Sequence, residues 1–246
     1  MDPTTLCRPP IFEPYGWLCA GMTTRSASSP GESRETMAAR LRDELGLAGA
    51  RIVLAEQVHG CGVARVYHEA SQADAKEREI SGVDALVTNA PGALIGVFTA
   101  DCVPIALVDP RRRNLAVAHA GREGTLQGIV RKTVECLREM GSAPRDMAAW
   151  VGPSICAAHY EVSKELAAQF RERFGHNAGA VAGPEGRHLD LKEIVRRELT
   201  ECGVDSSRIE IDPRCTLEDA DLFYSYRREG ASAGRMFTFL GIRDAE

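Results

Sequence analysis

Apolar residues recur along this chain with two periods, and their alternation outlines the elements. Met37, Leu41 and Leu45 stand one helical turn apart, after Ser33, whose hydroxyl suits an N-cap, and before Gly46, which can adopt the left-handed conformation. Residues 51–58 and 62–67 read as strands. The runs 93–98, 103–108 and 115–118 are short, β-branched and apolar, with turn chemistry between them. Their closeness predicts antiparallel neighbours, because parallel strands need crossovers of about a dozen residues or more. A helix is expected over 125–140, stopping at Gly141, and a strand over 147–151. Val162, Leu166, Phe170 and Phe174 mark a helix ending at Gly175, and Leu191, Ile194, Val195 and Leu199 mark another ending before Gly203. Asp190 with Glu193 makes a capping-box-like start for the second. Ile209–Ile211 and Met236–Ile242 close the chain as strands. The polar stretches 26–33 and 69–78 read as a loop and as an exposed loop or short helix. Strands in runs with helices interspersed predict an α+β fold, as one domain over 1–246.

Composition narrows the function classes. The 246 residues are 44% hydrophobic and 26% charged, which is globular, and the formal net charge of −5 offers no electrostatic footprint for nucleic acid. No apolar stretch approaches the ~18 residues of a membrane span, and Met1-Asp2-Pro3-Thr4-Thr5 lacks the features of a signal peptide. Eight cysteines lie scattered without a CxxC pair, so the expectation is a reduced, cytoplasmic protein with no membrane partner.

Three residues stand out by position. His59 and His119 each fall at a strand end with a glycine close behind, and Cys102 sits between two apolar runs. Two imidazoles and a thiolate suit zinc with its fourth position open, and the same residues suit a Cys–His nucleophilic site. Their separations of 43 and 17 residues match no short zinc signature, and each also reads as a packing residue. Asp101 is either a proton carrier or a turn residue accepting backbone N–H bonds. The amides of Gly121-Arg122-Glu123-Gly124 could receive an anion, and Arg227-Arg228 a phosphate, although surface solvation is the more ordinary reading of the latter. The absence of a Walker lysine motif and of GxGxxG counts against nucleoside triphosphate and dinucleotide enzymes.

Read together, several phrases resemble the YfiH-like, laccase-domain proteins, also called multicopper polyphenol oxidases or purine nucleoside phosphorylases. They are Glu56-Gln57-Val58-His59-Gly60, Gly82-Val83-Asp84-Ala85-Leu86-Val87-Thr88, Thr99-Ala100-Asp101-Cys102-Val103-Pro104 and His119-Ala120-Gly121. Gly152-Pro153, Tyr160-Glu161-Val162, Asp190-Leu191, Gly203-Val204, Cys215-Thr216, Phe223-Tyr224-Ser225-Tyr226-Arg227-Arg228 and Gly234-Arg235 follow in family order.

The resemblance implies mostly antiparallel or mixed central sheets flanked by helices, similar to the cytotoxic necrotizing factor deamidases. It implies a metal site of His59, Cys102 and His119 holding zinc or, in the oxidase variant, copper. It further implies small-molecule chemistry on purine nucleosides: phosphorolysis of adenosine, inosine and methylthioadenosine, and adenosine deamination, with phosphate or water as co-substrate. Asp101 is then the expected proton carrier, and Arg25, Arg40 and Arg227 the expected phosphate cations. The alternatives are a metal-free Cys102–His119 amide hydrolase acting on cell-wall precursors, a copper oxidase, and a binding module that has lost catalysis. A multicopper centre needs more histidine ligands than the six present. Three departures bear on substrate choice. The family's Gly-Gly-x-Ser loop is missing, its Asn-Arg pair is Met37-Ala38, and the Trp of its His-Ala-Gly-Trp-Arg-Gly phrase is replaced by Arg122. Loss of the Asn-Arg cation predicts a preference for water over phosphate.

Overall fold

The long central strands are apolar at nearly every position because they are covered on both faces. The structure, a computed structural model, describes residues 5–28, 32–47, 49–67, 77–175, 181–182 and 186–243. One six-stranded sheet runs in the order β1 (Leu6–Cys7), β2 (Leu18–Thr23), β14 (Met236–Ile242), β7 (Ala93–Thr99), β3 (Arg51–Ala55) and β5 (Glu77–Ile80). The other runs β13 (Ile209–Ile211), β10 (Ala148–Val151), β8 (Val103–Asp109), β9 (Asn114–Ala120), β6 (Ala85–Thr88) and β4 (Val63–Val66). Both sheets are mixed, with β3 parallel to β5 and β7, and β4 parallel to β6. A two-stranded ribbon pairs β11 (Val181–Ala182) with β12 (His188–Leu189).

The period of two sorts side chains into layers. Ile95 and Val97 of β7 pack between the sheets with Val117 of β9, Trp150 of β10 and Leu240 of β14. Leu94 and Phe98 of β7 turn the other way, with Phe237 and Phe239, against Met37, Ala38 and Leu41 of α1 (Arg34–Glu44). On the far side, Ala116 and Ala118 of β9 meet three helices, α3 (Ile129–Glu139), α4 (Lys164–Phe174) and α5 (Leu191–Glu201). The result is one α+β domain of four layers, helix, sheet, sheet, helices. No helix among the described residues is long and apolar enough to cross a membrane.

Most expected elements form, with instructive shifts. Ser33 caps α1 by accepting from the Thr36 N–H, and Asp190 caps α5 by accepting from the Glu193 N–H at 3.0 Å. The reciprocal half of that capping box is absent, because the Glu193 carboxylate pairs with Arg196. The helix expected over 125–140 begins earlier and breaks, giving α2 (Arg122–Leu126) and α3 on either side of Gly128, whose φ is 83°. The strand expected over 51–58 stops at Ala55, since Gln57 and His59 adopt positive φ. Of the polar stretch 69–78, residues 69–76 lie outside the described residues, and β5 begins at Glu77. Strands β2 and β6 carry no alternation that distinguished them beforehand.

One pairing is corrected. β8 and β9 form the expected antiparallel hairpin, but β7 pairs with β14 and β3 and belongs to the other sheet. Residues 100–102 carry the chain from one sheet to the next. Apolar residues on both faces leave nothing in the sequence to separate a tight hairpin from such a corner.

Gly96 shows how closely the outer layer packs. A Cβ there would lie 2.1 Å from the Phe237 ring, which stacks on Phe98 at a centroid distance of 4.6 Å. Gly96→Ala should therefore destabilise the fold by ~1–3 kcal/mol in urea unfolding, the usual range for overpacking. A loss below ~0.5 kcal/mol, typical of an unconstrained surface position, would show that the ring moves aside freely.

Candidate metal centre

Three turns from the two sheets converge at one end of the sandwich. The loop after β3 brings His59, the corner between β7 and β8 brings Cys102, and the end of strand β9 brings His119. Their ligating atoms all lie within 4.8 Å of one another, with His59 exposed, Cys102 half-buried and His119 buried. The two imidazole rings meet edge to face, centroids 4.9 Å apart. They open into a cleft of about 730 Å³ whose walls include Phe98, Tyr160, Tyr226, Arg122 and Arg227.

The backbone is strained where these side chains are presented. Gln57, His59 and Asp101 have φ of 65°, 60° and 86°, and they are three of the four non-glycine residues with positive φ among those described. Each such conformation costs of order 1–3 kcal/mol and persists only where its surroundings hold it. Gln57 is held by two bonds to Phe98, accepting its N–H at 2.7 Å and donating to its carbonyl at 2.6 Å. The Asp101 carboxylate accepts from the Thr216 hydroxyl at 2.7 Å and the Arg227 N–H at 2.6 Å. Each of its oxygens thereby accepts one bond that holds the corner. Gly121 closes the floor, since a Cβ there would lie 3.2 Å from Cys102 Sγ and 3.4 Å from the His59 ring.

Beneath these three side chains sits Asp84, with no exposure to solvent. It accepts from the N–H groups of His59 at 3.0 Å and Gly60 at 2.8 Å, and its Oδ1 lies 2.7 Å from His119 Nδ1. That last bond commits Nδ1 and leaves Nε2 to act as ligand, the usual carboxylate–histidine support of a metal site. Burial works against the Cys102 thiolate, but the His119 and His59 imidazoles overcome it and bring the thiol down to about 6. Burial likewise opposes the His119 imidazolium, yet Cys102 and Asp84 push His119 up to about 9. Burial, helped by the Cys102 charge, raises the Tyr160 hydroxyl above its ordinary range, and Arg122 and Arg227 partly offset it. Two nitrogens and a readily ionised sulfur with an open side fit a borderline-soft divalent ion.

Of the residues singled out in the sequence, His59, Asp101, Cys102, His119 and Arg227 all line the cleft. Arg25 and Arg40 do not. Arg25 pairs with Glu229 at 3.0 Å and lies over the Tyr224 ring, and Arg40 pairs with Glu32 and Glu44. The glycines after His119 serve close packing, since a Cβ at Gly124 would lie 2.5 Å from the Gly60 carbonyl. Met37 and Ala38, in place of the Asn-Arg pair, are buried on the inner face of α1. Arg34, one turn earlier, lines the cleft, but its guanidinium donates to the Ala55 and Glu56 carbonyls and to Gln57, bracing the His59 loop. Asp84, Tyr160 and Arg122 had no assigned role. Their only advance signal was the resemblance, in the phrases Gly82-Val83-Asp84 and Tyr160-Glu161-Val162 and in the departure at Arg122.

Two outcomes follow from this geometry. Asp84→Asn should weaken metal binding ~10–100-fold in competition with a chromophoric chelator, and an unchanged affinity would deny Asp84 its orienting role. In metal-free protein, iodoacetamide should alkylate Cys102 first, with the rate falling as pH drops through about 6, because thiolate is lost below that value. A midpoint at the ordinary ~8.5 would contradict the electrostatics described.

Comparison with known proteins places this geometry. The model of the multi-copper polyphenol oxidoreductase laccase family matches residues 24–243. A purine nucleoside phosphorylase of Deinococcus radiodurans is 40% identical over 208 residues, covering 83% of this chain and 75% of that protein. A protein named adenosine deaminase RL5, from an unknown prokaryotic organism, is 38% identical over 200 residues, covering 79% of this chain and 76% of that protein. The crystal structure of YlmD from Geobacillus stearothermophilus superposes with a TM-score of 0.87 at 29% identity, covering 99% of this chain and 98% of that one. With its fold and nearly its whole length matched, the chain belongs to the multi-copper polyphenol oxidoreductase laccase family.

Proposed function

We propose that this protein is a zinc-dependent purine nucleoside phosphorylase that also deaminates adenosine. The observation that carries this is the His59–Cys102–His119 cluster at the floor of a cleft walled by aromatic and cationic side chains. Similarity to relatives named purine nucleoside phosphorylase and adenosine deaminase supports it. Bound there, zinc supplies Lewis acidity at neutral pH. All eight cysteines are free, which supports a reduced, cytoplasmic setting.

The chain's own residues divide the remaining work. Tyr226, 55% exposed at the rim, offers an aromatic face on which a purine can stack. Asp84 keeps the His119 ring oriented, and the Asp101 carboxylate holds the corner that presents Cys102. The Tyr160 hydroxyl, kept protonated and close to Cys102, holds a proton available to the departing base or amine. Arg122 and Arg227 flank Tyr160 and form the phosphate clamp. Arg227 lies with its guanidinium 5.4 Å from the Tyr160 ring and spends one bond on the Glu161 carbonyl. Arg122 stands where the family carries Trp. In this reading it replaces the cation lost with the Asn-Arg pair, so phosphate use is retained.

A second reading has its own observation. Cys102, His119 and Asp84 form a thiol–imidazole–carboxylate chain with a thiol at about 6, the arrangement of a Cys–His amide hydrolase. Activity that survives strong chelation and dies with a thiol alkylator would favour it over the zinc enzyme.

The phosphate assignment is tested by Arg122→Gln. A charge-assisted hydrogen bond is worth about 1.5–3 kcal/mol, so KM for phosphate with inosine should rise by roughly one to two decades, with adenosine deamination changed far less, through Tyr160 alone. An unchanged KM, or equal loss of both activities, contradicts the clamp. Cys102→Ala should abolish both reactions together with metal binding, and full turnover in metal-free Cys102→Ala would remove the zinc reading altogether.

A further inference from the structure

A second cluster of donor atoms lies outside the cleft, and none of the chemistry above uses it. Cys156 belongs to the segment after β10, and Cys215 and Glu218 belong to the segment after β13. Their ligating atoms also lie within 4.8 Å of one another. Cys156 Sγ stands 3.8 Å from Glu218 Oε1, and the Cys156 N–H points at Cys215 Sγ from 3.3 Å. His159 Nε2 lies 2.8 Å from the same Glu218 oxygen. Two sulfurs, a carboxylate and an imidazole are thus assembled from positions far apart in sequence. Lys192, within electrostatic reach of both sulfurs, does not neutralise them directly, because its Nζ donates to the carbonyls of Asp212 and Arg214 at 2.9 and 2.7 Å.

We propose that Cys156, Cys215, Glu218 and His159 form a second metal site, structural in role and selective for zinc-class ions. Bond lengths near 2.3 Å for sulfur and 2.0 Å for oxygen place tetrahedral sulfur and oxygen ligands about 3.5 Å apart. The Cys156–Glu218 separation of 3.8 Å needs only a small contraction to reach that edge. Thiolates and imidazole select against calcium and magnesium, which take oxygen ligands. Four protein ligands leave no open position, which is the mark of a structural rather than a catalytic ion.

The site's neighbours give it a purpose. Ile155, beside Cys156, donates its N–H to the Asp101 carbonyl at 3.0 Å and lines the cleft. Thr216, beside Cys215, donates its hydroxyl to Asp101 Oδ1 at 2.7 Å. An ion joining Cys156 to Cys215 clamps the two segments that grip the corner carrying Cys102. Asp101 holds a positive φ of 86° there, and a clamp outside the cleft stabilises that strained turn without occupying the substrate's space.

The test is elemental analysis of wild type, Cys102→Ser, Cys156→Ser and the double variant, each purified under reducing conditions without added metal. Wild type should hold about two zinc-class ions per chain, each single variant about one, and the double variant none. Cys215→Ser gives a second route to the same loss should Cys156→Ser fail to fold. Cobalt loaded into Cys102→Ser should retain the charge-transfer absorption of thiolate ligands. Wild-type metal content in both Cys156→Ser and Cys215→Ser overturns the site. So does a Cys156–Cys215 disulfide found by mass in wild type freshly purified without oxidant.

Discussion

A carboxylate shut away from solvent, Asp84, is the fixed point on which the cleft depends. Leaving such a charge buried and uncompensated would cost several kcal/mol. Here it receives the N–H groups of two consecutive residues, His59 and Gly60, and faces the His119 imidazole. Burial alone would raise its carboxyl, but the His119 bond, the two backbone bonds and the imidazole's charge hold it below the usual range. One side chain just before β6 therefore fixes a strained loop from the other sheet and the tautomer of His119 on β9. Its removal would free more than one ring, because two backbone N–H groups would lose their acceptor together.

The four-layer core makes this possible by immobilising both sheets. Trp150, Phe237 and Phe239 are fully buried, and the ends of β7, β8 and β9 have little freedom to shift. Strain then concentrates where the sheets exchange the chain. Gln57, His59 and Asp101 hold left-handed conformations in adjacent turns, each secured by side-chain bonds. Rigid strand ends set the positions of His59, Cys102 and His119, and the strained turns set the directions in which the first two point. A wide cleft above them leaves room for an aromatic substrate and a small anion.

Much of this was legible in the residues, and the failures have physical causes. Runs such as 103–108 are bounded by turn chemistry, so His59, Cys102 and His119 could be placed at strand ends. Their convergence could not be read from spacing, because the turns belong to different sheets and sequence separation does not report distance across a sandwich. For the same reason the corner at 100–102 resembled a hairpin. Arg25 and Arg40 looked available because a sequence gives a charge no direction; in the fold, carboxylates already hold them. Asp84 was silent outside the family phrase, since a single acid before a strand usually serves a turn. Cys156 and Cys215 were equally silent, lying 59 residues apart with no CxxC to announce them.

The most direct test of the central claim is anomalous diffraction from crystals of active protein, collected at the zinc absorption edge. A peak is expected at ~2.0–2.1 Å from one nitrogen each of His59 and His119 and at ~2.3 Å from Cys102 Sγ. Crystals that turn over nucleoside yet show no anomalous density among those three side chains would contradict it.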